Sequence, residues 1–596
     1  MLAANHRASD TRGPEPVGSR FPPAMLSWIL PLTLAVMAVA CYAVTLRGGF
    51  VFDDVQNILE NRWLANVRYL GEIFSSHAAG FDRQFTTSYY RPLMHVFYML
   101  TLHLAGPVPW AFHLTNVLLH CVVTLFAYWL VSALWRRLEE PSEAWSPAAA
   151  GAFAAALFAV HPIHTEAVAW LAGITDLSFS AFFLASFLAY LKAETGGWAY
   201  SAGGAVLFLL AALCKEPGLT LLPALAVYEV ARSHAHRRAF PEAAVCWKLG
   251  GYALAAVAYL GLRVWALGGF APGNRVVRMD VTSTVLTAAD LFMRYVAKLA
   301  WPFPLQALYS FQPVSSLLSW PALIGLSGVA AIAWGVWRWR HRPVLLVGAS
   351  LFILPLLPVL YVPSVGEGVF AERYLYLPAL GAFMMLAVPV GWAVGRGAAS
   401  RVAVAVALVG ALAGLAGAAV VRNAVWHDSV SLWSDTVAKN PGSETARAYL
   451  CWALSSSGRY EEAITSCNQA LQFDAHRTDA RESLASALAQ TGRLDEAARQ
   501  YEVVLNQEPA AAEALTGLGL VYMAQGRSDQ AFAAYREALR VRPDYAEAHN
   551  DLGVALVEQG RIAEGLAHLE DAVHLRPLQG EYRANLQAAR ALRHAP

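Results

Sequence analysis

Two adjacent carboxylates, Asp53 and Asp54, follow the first long apolar segment of the chain. Charged side chains beside a membrane exit are costly to place, so this position needs a physical reason. A carboxylate at a membrane surface can accept a proton as a general base, or it can orient a polar substrate. The structural alternative is a helix N-cap or a pair that simply faces water. The sequence leaves open which of the two acids would be the base.

Three basic residues stand at the ends of apolar segments, where a lipid headgroup would lie: Arg91, Lys215 and Arg373. The planar guanidinium of arginine matches the oxygens of a phosphate, and lysine supplies a point charge. We therefore interpret these residues as candidate contacts to a phosphate group. Cationic side chains at membrane edges also snorkel without a ligand, and Lys215 has the further alternative of pairing with Glu216 or another acid.

A second polar cluster comprises His161, His164 and Glu166, with Asp176 early in the following apolar segment. Histidines at this spacing suggest metal ligands, but Pro162 interrupts the helical register that would place both on one face. We therefore predict no metal here, and the cluster either faces a substrate or caps helices and packs through hydrogen bonds. None of the six cysteines forms a Cys-x-x-Cys pair, which argues against a thiolate zinc site.

The elements that carry these residues require lipid as their solvent. Of the 596 residues, 57% are hydrophobic and only 15% are charged, and the mean hydropathy is +0.40. Such a composition is typical of proteins embedded in a bilayer. After a polar tail at 1–24, residues 25–421 form a succession of apolar blocks, whereas 422–596 have the composition of a water-soluble helical domain. The net charge of +1 predicts no general attraction to nucleic acid.

Eleven apolar segments are predicted membrane spans, and the first is interpreted as a retained helix rather than a cleaved signal. They fall at 25–46, 110–135, 148–166, 172–191, 198–213, 217–231, 247–267, 320–337, 344–362, 374–394 and 402–421. Short loops rich in Arg and Lys alternate with loops that carry carboxylates and His, so the positive-inside rule places the N-terminal tail in the cytoplasm. The loop 47–109 and the C-terminal domain are then predicted to share the outer side.

Two features are assigned to the membrane surface. Residues 286–302 are apolar but carry Asp290, Arg294 and Lys298 at four-residue spacing. Because such a charged helix face is costly in hydrocarbon, we interpret this segment as interfacial. Tryptophans near the ends of spans are interpreted as interfacial anchors rather than as platforms for a sugar; these are Trp110, Trp170, Trp301 and Trp320.

A 34-residue period runs through the C-terminal domain. Gly-Arg pairs recur at this spacing, and small residues follow them at Ala463, Ala497, Ala531 and Gly565. The period resembles the tetratricopeptide repeat (TPR) family, whose hairpins stack to bury their apolar faces. The predicted units are an incomplete repeat at 429–440, repeats at about 444–477, 478–511, 512–545 and 546–579, and a C-terminal helix at 580–594. In the first hairpin Cys451 faces Cys467, either as a disulfide or as two small core residues.

Several motifs together resemble the transmembrane and tetratricopeptide-repeat O-mannosyltransferase family of the GT-C glycosyltransferases. In chain order, and followed by the repeats, they are Phe52-Asp53-Asp54, Tyr90-Arg91-Pro92-Leu93, His161-Pro162-Ile163-His164-Thr165-Glu166-Ala167-Val168, Lys215-Glu216 and Ala371-Glu372-Arg373-Tyr374-Leu375-Tyr376-Leu377-Pro378. The resemblance covers nearly the whole chain. It implies an all-α, polytopic GT-C-like membrane domain of about 11 spans, followed by a TPR α-solenoid.

The resemblance also implies a reaction. The family transfers a sugar, expected here to be mannose, from a polyprenyl- or dolichyl-phosphate to Ser or Thr hydroxyls on the outer face, with inversion. The implied catalytic residues are Asp53 and Asp54, and the implied substrate and lipid-phosphate contacts are Arg91, Lys215, Arg373, Glu372, His161, His164 and Glu166. No cofactor is firmly implied, and a divalent metal is not expected. The expected partners are the lipid-linked donor and a polypeptide acceptor, or a partner protein, in the groove of the repeats.

A non-enzymatic, membrane-anchored TPR scaffold for envelope proteins is the main alternative. An anchor needs only one or two spans and has no use for acids and cations at the outer surface, so the enzyme is preferred. A coupled transporter would carry more ionisable groups within its spans. The abundance of Ala, Leu, Arg and Trp indicates a bacterial inner membrane with periplasmic repeats. An endoplasmic reticulum membrane with lumenal repeats is the eukaryotic equivalent.

Overall fold

The computed structural model describes residues 23–81, 87–140, 142–236, 243–269, 279–361 and 368–593. All secondary structure in these ranges is helical. This confirms the predicted all-α class, an apolar membrane domain followed by a TPR solenoid. The predicted tail at 1–24 lies outside the described part of the chain except for its last two residues, and so does residue 594 of the predicted C-terminal helix.

The membrane domain is built from α-helices joined by short 3-10 turns. Its α-helices span Pro23–Tyr42, Leu70–Ser75, Pro92–Ala105, Pro109–Leu138, Pro147–Val160, Thr165–Ala169, Ile174–Gly196, Trp198–Cys214, Leu221–His236, Ala243–Leu267, Val281–Ala300, Trp320–Arg338, Pro343–Ile353, Leu357–Leu360, Tyr376–Val394 and Ala398–Val425. Tight turns such as Pro162–His164 form where proline removes a backbone donor from an apolar segment. These interruptions leave polar residues at helix ends, where most candidate site residues lie.

The eleven predicted spans all correspond to helices, but not all of these helices are long enough to cross a membrane. Among the described residues, eight helices are long and apolar enough, and the bent pair Pro147–Val160 and Pro162–Ala169 makes a ninth. The other two predicted spans form the shorter helices Trp198–Cys214 and Leu221–His236. A polar turn around Lys215 separates the two, and the residues that follow His236 lie outside the described part of the chain. By length and composition, the described residues thus supply eight or nine of the eleven expected spans.

The surface of the membrane domain is apolar. In helix Ala398–Val425, which is only 6% buried, the side chains of Val402, Val406 and Val409 are 64%, 68% and 67% exposed. Contiguous exposed apolar side chains of this extent are unfavourable in water and natural in lipid. The chain is therefore a multi-pass membrane protein.

The segment predicted to be interfacial forms the helix Val281–Ala300. Its apolar face is buried, while Arg294 pairs with Asp290 one turn away at 2.7 Å. Lys298 donates to the backbone carbonyl of Pro304. All three charged side chains of this face therefore have a polar partner, and the side chain of Arg294 remains 46% exposed. This helix is not among those long and apolar enough to span.

The repeat domain forms a series of antiparallel hairpins. Its α-helices span Ser429–Lys439, Glu444–Ser456, Tyr460–Phe473, Thr478–Gln490, Leu494–Gln507, Ala512–Ala524, Ser528–Val541, Ala546–Glu558, Ile562–Leu575 and Gly580–Arg593. The small residues that follow each turn are fully buried at Ala463, Ala497 and Ala531. A larger side chain there would separate the paired helices. From here on this domain is called the TPR array.

Each Gly-Arg pair makes the turn inside a hairpin. Gly458, Gly492, Gly526 and Gly560 have φ between +75° and +78°, a left-handed conformation that glycine adopts at little cost. After each glycine, the arginine N–H donates to a carbonyl five residues back, as from Arg459 to Leu454 at 3.0 Å. This is a Schellman C-cap, which satisfies carbonyls at the helix end and reverses the chain.

The first hairpin of the array contains a disulfide. Cys451 and Cys467 are bonded, with their Cα atoms 4.9 Å apart, and both are fully buried. Of the two alternatives left open by the sequence, the structure therefore has the covalent one. Such a bond persists in an oxidising compartment.

Both ends of the TPR array contact the loop 47–109. This loop is called the first outer loop, after its predicted side of the membrane. At the N-terminal end, Phe52 packs edge-on against Trp433 and Tyr449, with ring centroids 5.2 and 5.0 Å apart. At the C-terminal end, Arg576 pairs with Glu60 at 3.0 Å. The array is therefore fastened to the loop that carries the acidic pair.

Candidate functional site

Asp53 lies in a strained turn at the start of the first outer loop. The preceding residue, Phe52, has φ of +57°, a left-handed conformation that is uncommon for a bulky side chain. Its N–H donates to the hydroxyl of Ser429 in the TPR array at 3.0 Å. Strain of this kind persists only where surrounding contacts impose it, and it is frequent at functional sites.

The Asp53 carboxylate is held by two donors and remains partly exposed. The indole N–H of Trp170 donates to one oxygen at 3.0 Å, and the side-chain amide of Asn57 donates to the other at 3.0 Å. Burial raises the pKa of Asp53 to about 6. These hydrogen bonds and the charge of Arg373 lower the pKa, but the effect of burial is larger. A carboxylate with this pKa is ionised at neutral pH and is a stronger base than an ordinary Asp.

Asp54 has a different environment. It is fully buried, and one of its oxygens accepts the backbone N–H of Val51 at 2.9 Å. Burial and the neighbouring charge of Asp53 raise its pKa well above the usual range. Asp54 is therefore less accessible than Asp53, and it accepts a hydrogen bond from the backbone of the turn that carries Asp53.

Glu166 and Arg373 form an ion pair beside Asp53. The guanidinium of Arg373 pairs with one oxygen of Glu166, and the Arg373 backbone N–H donates to the other at 2.9 Å. The guanidinium also lies over the rings of Trp170 and Tyr374, 5.0 Å from each centroid. Trp170 therefore contacts both Asp53 and Arg373, which connects the acid to the cationic part of the site.

Lys215 forms a buried ion pair with Asp176. Its ammonium lies 2.6 Å from both carboxylate oxygens and 5.3 Å from the centroid of Tyr374. Burial lowers the pKa of Lys215 to about 8. The charge of Asp176 raises this pKa, whereas the nearby charges of Arg91 and Arg373 lower it further. Pairing with another acid was one of the sequence alternatives for Lys215, and the structure identifies that acid as Asp176.

Arg91 completes a group of basic residues around this pair. It contacts Glu216 at 2.9 Å, and Arg263 contacts the same carboxylate at 3.2 Å. The structure thus brings together all three cations predicted from the sequence and adds Arg263. We call Arg91, Lys215, Arg263 and Arg373 the cation cluster. Its four cations face three carboxylates, those of Glu166, Asp176 and Glu216, and Arg373 also attracts the carboxylate of Asp53.

A cavity of about 770 Å³ opens between the membrane domain and the TPR array. Its wall is aromatic on both sides, with Phe52, Trp170, Tyr309, Trp426, Trp433 and Tyr449. Trp170 and Trp426 are stacked at 6.2 Å between centroids. Glu166 and Arg373 supply charge to the same wall. A large, mainly apolar cavity with a few convergent polar groups is typical of a binding site, and we call it the aromatic cavity.

Of the seven residues predicted to contact substrate or phosphate, only Glu166 and Arg373 line this cavity, and the other five do not: Arg91, Lys215, His161, His164 and Glu372. His161 and His164 are buried to 3% and 0% exposure, and His164 bonds to the carbonyl of Phe158 at 2.9 Å. Both histidines pack inside the domain, at the turn that Pro162 begins. Glu372 is also buried; it accepts from the hydroxyl of Tyr309 at 2.6 Å and so positions a residue of the cavity wall.

Trp170 corrects a further interpretation. The sequence suggested an interfacial anchor, but its indole binds Asp53 and lines the aromatic cavity. The sequence did not indicate three further residues of the site, which are Asn57, Trp433 and Tyr449. Asn57 stands four residues after Asp53, a spacing that could have indicated a side-chain hydrogen bond in a helical turn. The two array residues reach the site only through tertiary packing, and no local pattern marks them.

The repeats are similar to known TPR proteins. A family profile described as "TPR repeat" matches residues 519–560, and one described as "Tetratricopeptide repeat" matches residues 454–521. A solved thermophilic TPR protein of Thermus thermophilus is similar at 21% identity with a TM-score of 0.26, covering 27% of this chain and 89% of that one.

Curated relatives cover the membrane domain as well. The chain is 28% identical over 462 residues to "Protein O-mannosyl-transferase TMTC4" of Mus musculus, which covers 69% of this chain and 62% of the relative. It is 38% identical over 206 residues to "Protein O-mannosyl-transferase TMTC3" of Mus musculus, a match that covers 33% of this chain and 21% of the relative. The chain thus spans less than two thirds of the length of these relatives. They confirm the resemblance predicted from the motifs.

Proposed function

Because the chain fits the transmembrane and tetratricopeptide-repeat O-mannosyltransferase family, we propose that it is a membrane glycosyltransferase. It transfers a mannosyl unit from a polyprenyl- or dolichyl-phosphate to a Ser or Thr hydroxyl of a polypeptide. The observation that carries this proposal is Asp53, a partly exposed carboxylate with a pKa of about 6. Its chain neighbour Phe52 and its hydrogen-bond partner Trp170 line a cavity that the membrane domain shares with the TPR array, whereas Asp53 itself is not part of that lining.

The proposed step is a single displacement at the anomeric carbon. The acceptor hydroxyl oxygen attacks this carbon from the face opposite the phosphate, and its proton passes to the carboxylate of Asp53. The bond between the anomeric carbon and the phosphate oxygen breaks, and the lipid phosphate leaves with the bonding electrons. The configuration at the anomeric carbon is therefore inverted.

The cation cluster supports this step electrostatically. Negative charge grows on the phosphate as it leaves, and preorganised cations aimed at that charge lower the barrier. Arg373 is suited to this role because it belongs to the cluster and also lines the aromatic cavity. Its guanidinium is fixed by Glu166 and by two aromatic rings, so it needs little reorganisation during the reaction.

The TPR array is proposed to bring the acceptor polypeptide to the site. Residues 442–445 and Tyr449 of its first hairpin form part of the cavity wall. A segment held by the array would therefore enter the cavity along the wall that these residues form. Aromatic rings on this wall present apolar faces both to a sugar and to an extended peptide.

The proposed compartment is the bacterial periplasm or the lumen of the endoplasmic reticulum. The Cys451–Cys467 disulfide supports an oxidising environment for the array. The distribution of Arg and Lys among the short loops supports the same side. The first outer loop is fastened to the array, so it lies on that side as well.

A transfer assay tests the proposal against a purely scaffolding role. The full chain in vesicles is given labelled polyprenyl-phosphate mannose and envelope proteins. Label should appear on Ser and Thr and be released by alkaline β-elimination. Arg91→Gln should slow transfer, whereas Arg459→Gln, which breaks an exposed Arg–Glu pair of the array, should not. Acceptor binding without any label transfer would favour the scaffold.

A further inference from the structure

We propose that the TPR array carries a binding site for one divalent transition-metal ion, formed by His549, His568 and Asp571. The ligand atoms that these three residues offer all lie within 4.8 Å of one another. His549 belongs to helix Ala546–Glu558, and the other two residues belong to its hairpin partner Ile562–Leu575. The proposal does not depend on the proposed transferase activity.

The hydrogen bonds of His549 fix which of its nitrogens is free to bind a metal. Its Nε2 lies 3.0 Å from the carbonyl oxygen of Pro543, and a carbonyl can only accept. Nε2 therefore carries the hydrogen, and in the neutral ring Nδ1 presents a lone pair. Histidines that bind metals usually donate their second ring nitrogen to a carbonyl or carboxylate in this way, which fixes the ring orientation.

The Nδ1 lone pair of His549 points at the other two ligands. The Nδ1 of His568 lies 3.0 Å away, and an oxygen of Asp571 lies 3.7 Å away. Bonds of about 2.0–2.1 Å in a tetrahedral arrangement require ligand atoms roughly 3.4 Å apart. The two separations measured from His549 lie on either side of this value. The third pair, His568 and Asp571, lies within 4.8 Å, and rotation of these side chains would close the three ligands around an ion.

The donor set indicates which class of metal fits. Two imidazole nitrogens and one carboxylate oxygen suit zinc and its neighbours, whereas calcium and magnesium prefer oxygen ligands only. Three protein ligands leave a fourth tetrahedral position for water. His568 and Asp571 stand three residues apart on one helix, a spacing that places both on the same face.

The charges around the site are balanced. Arg536 and Glu564 lie near His568 with opposite signs, and Glu564 also pairs with Arg561.

The site lies at the end of the array that docks on the membrane domain. A bound ion would join the two helices of one hairpin, immediately before Arg576, which pairs with Glu60 of the first outer loop at 3.0 Å. Ion binding to the folded state alone would stabilise this hairpin by mass action. The expected consequence is a firmer attachment of the array to the loop that carries Asp53.

The test uses the full chain, purified in detergent without a histidine tag and stripped of metal. Zn²⁺ should bind at one ion per chain, and Co²⁺ should give the visible absorption of a tetrahedral nitrogen and oxygen site. His568→Gln and Asp571→Asn, both on the accessible helix, should weaken Zn²⁺ binding by at least about tenfold. His574→Gln, on an exposed position of the same helix, is the matched control and should leave binding unchanged.

Two results would overturn the proposal. One is the absence of saturable Zn²⁺ binding to the wild-type chain, which would mean that His568 and His549 share only a hydrogen bond. The other is equal binding and an equal Co²⁺ spectrum in wild-type, His568→Gln and Asp571→Asn chains. Because the readouts are stoichiometry and absorption, neither result depends on sugar transfer.

Discussion

Asp53 and Asp54 are neighbours in the chain but are held by different parts of the fold. Asp53 accepts from the side chains of Trp170 and Asn57 and stays partly exposed, whereas Asp54 is buried against the backbone of Val51. An acid that takes a proton from a substrate must be reachable. At the scale of single residues, this difference in exposure favours Asp53 as the base.

The pKa of Asp53 leads to a prediction about pH. Because burial raises this pKa to about 6, the carboxylate is protonated below that pH and ionised above it. Transfer should therefore increase as the pH rises through about 6. Trp170→Phe removes an N–H that stabilises the ionised form of Asp53 and so raises the pKa of this carboxyl. The acid limb of the variant's pH profile should therefore move to higher pH. The measurement is the pH profile of label transfer for both chains, and an acid limb that stays in place or moves down would contradict the assignment.

The types of the site residues could be predicted from the sequence, but their partners could not. Paired acids and cations at the ends of apolar segments indicated Asp53, Arg91, Lys215 and Arg373. The same reasoning placed His161 in the site, because a polar residue at a span end can face either way. Only the tertiary packing decides which way a side chain points.

At the scale of elements, the Gly-Arg turns set the geometry of the array. Gly560 has φ of +78°, and a Cβ added there would meet nothing within 4 Å. The cost of Gly560→Ala is therefore a backbone cost, expected to be about 1–2 kcal/mol. Gly580→Ala, at a helix start with equally open space and no positive φ, is the control and should be neutral or slightly stabilising.

Thermal unfolding of the full chain measures both glycine variants. A lower melting temperature for Gly560→Ala than for Gly580→Ala would support the role assigned to the turn. Equal melting temperatures would show that the left-handed glycine is not required there. The comparison is informative because both positions lie in the array and differ mainly in backbone conformation.

The disulfide of the first hairpin gives a second prediction for the elements. It closes a loop with a sequence separation of 16 residues, and a bond of this loop length contributes about 3 kcal/mol in the chain-entropy account. Cys451→Ala with Cys467→Ala should therefore lower the melting temperature of the array. Added reductant should lower it in the wild-type chain but not in the double variant. If reductant has no effect on either chain, the bond does not stabilise the array.

The elements were the part of the structure that the sequence predicted best. A 34-residue period with Gly-Arg turns specifies helical hairpins, because glycine and the small residues act locally. Span length was predicted less well. The segments at 198–213 and 217–231 looked like full spans, but the described helices there have 17 and 16 residues. They are separated by a turn in which the ammonium of Lys215 is held by Asp176 in the protein interior.

At the scale of the whole molecule, the array and the membrane domain form one site. The array is attached through Trp433 and Tyr449 at one end and through Arg576 at the other. The aromatic cavity lies at the first of these contacts, because Phe52, Trp433 and Tyr449 all belong to its wall. No local sequence pattern could predict this arrangement, because it depends on contacts between residues hundreds of positions apart.

The most direct test of the account is sugar transfer by Asp53→Asn. The amide keeps the shape of the carboxylate but cannot take the proton, so label transfer should fall by at least about 100-fold. Glu502→Gln, the same kind of change at an exposed position of the array, should transfer at the wild-type rate. A melting temperature near that of the wild type would establish that Asp53→Asn is folded. Transfer by folded Asp53→Asn at the wild-type rate would contradict the central claim that this carboxylate is the base.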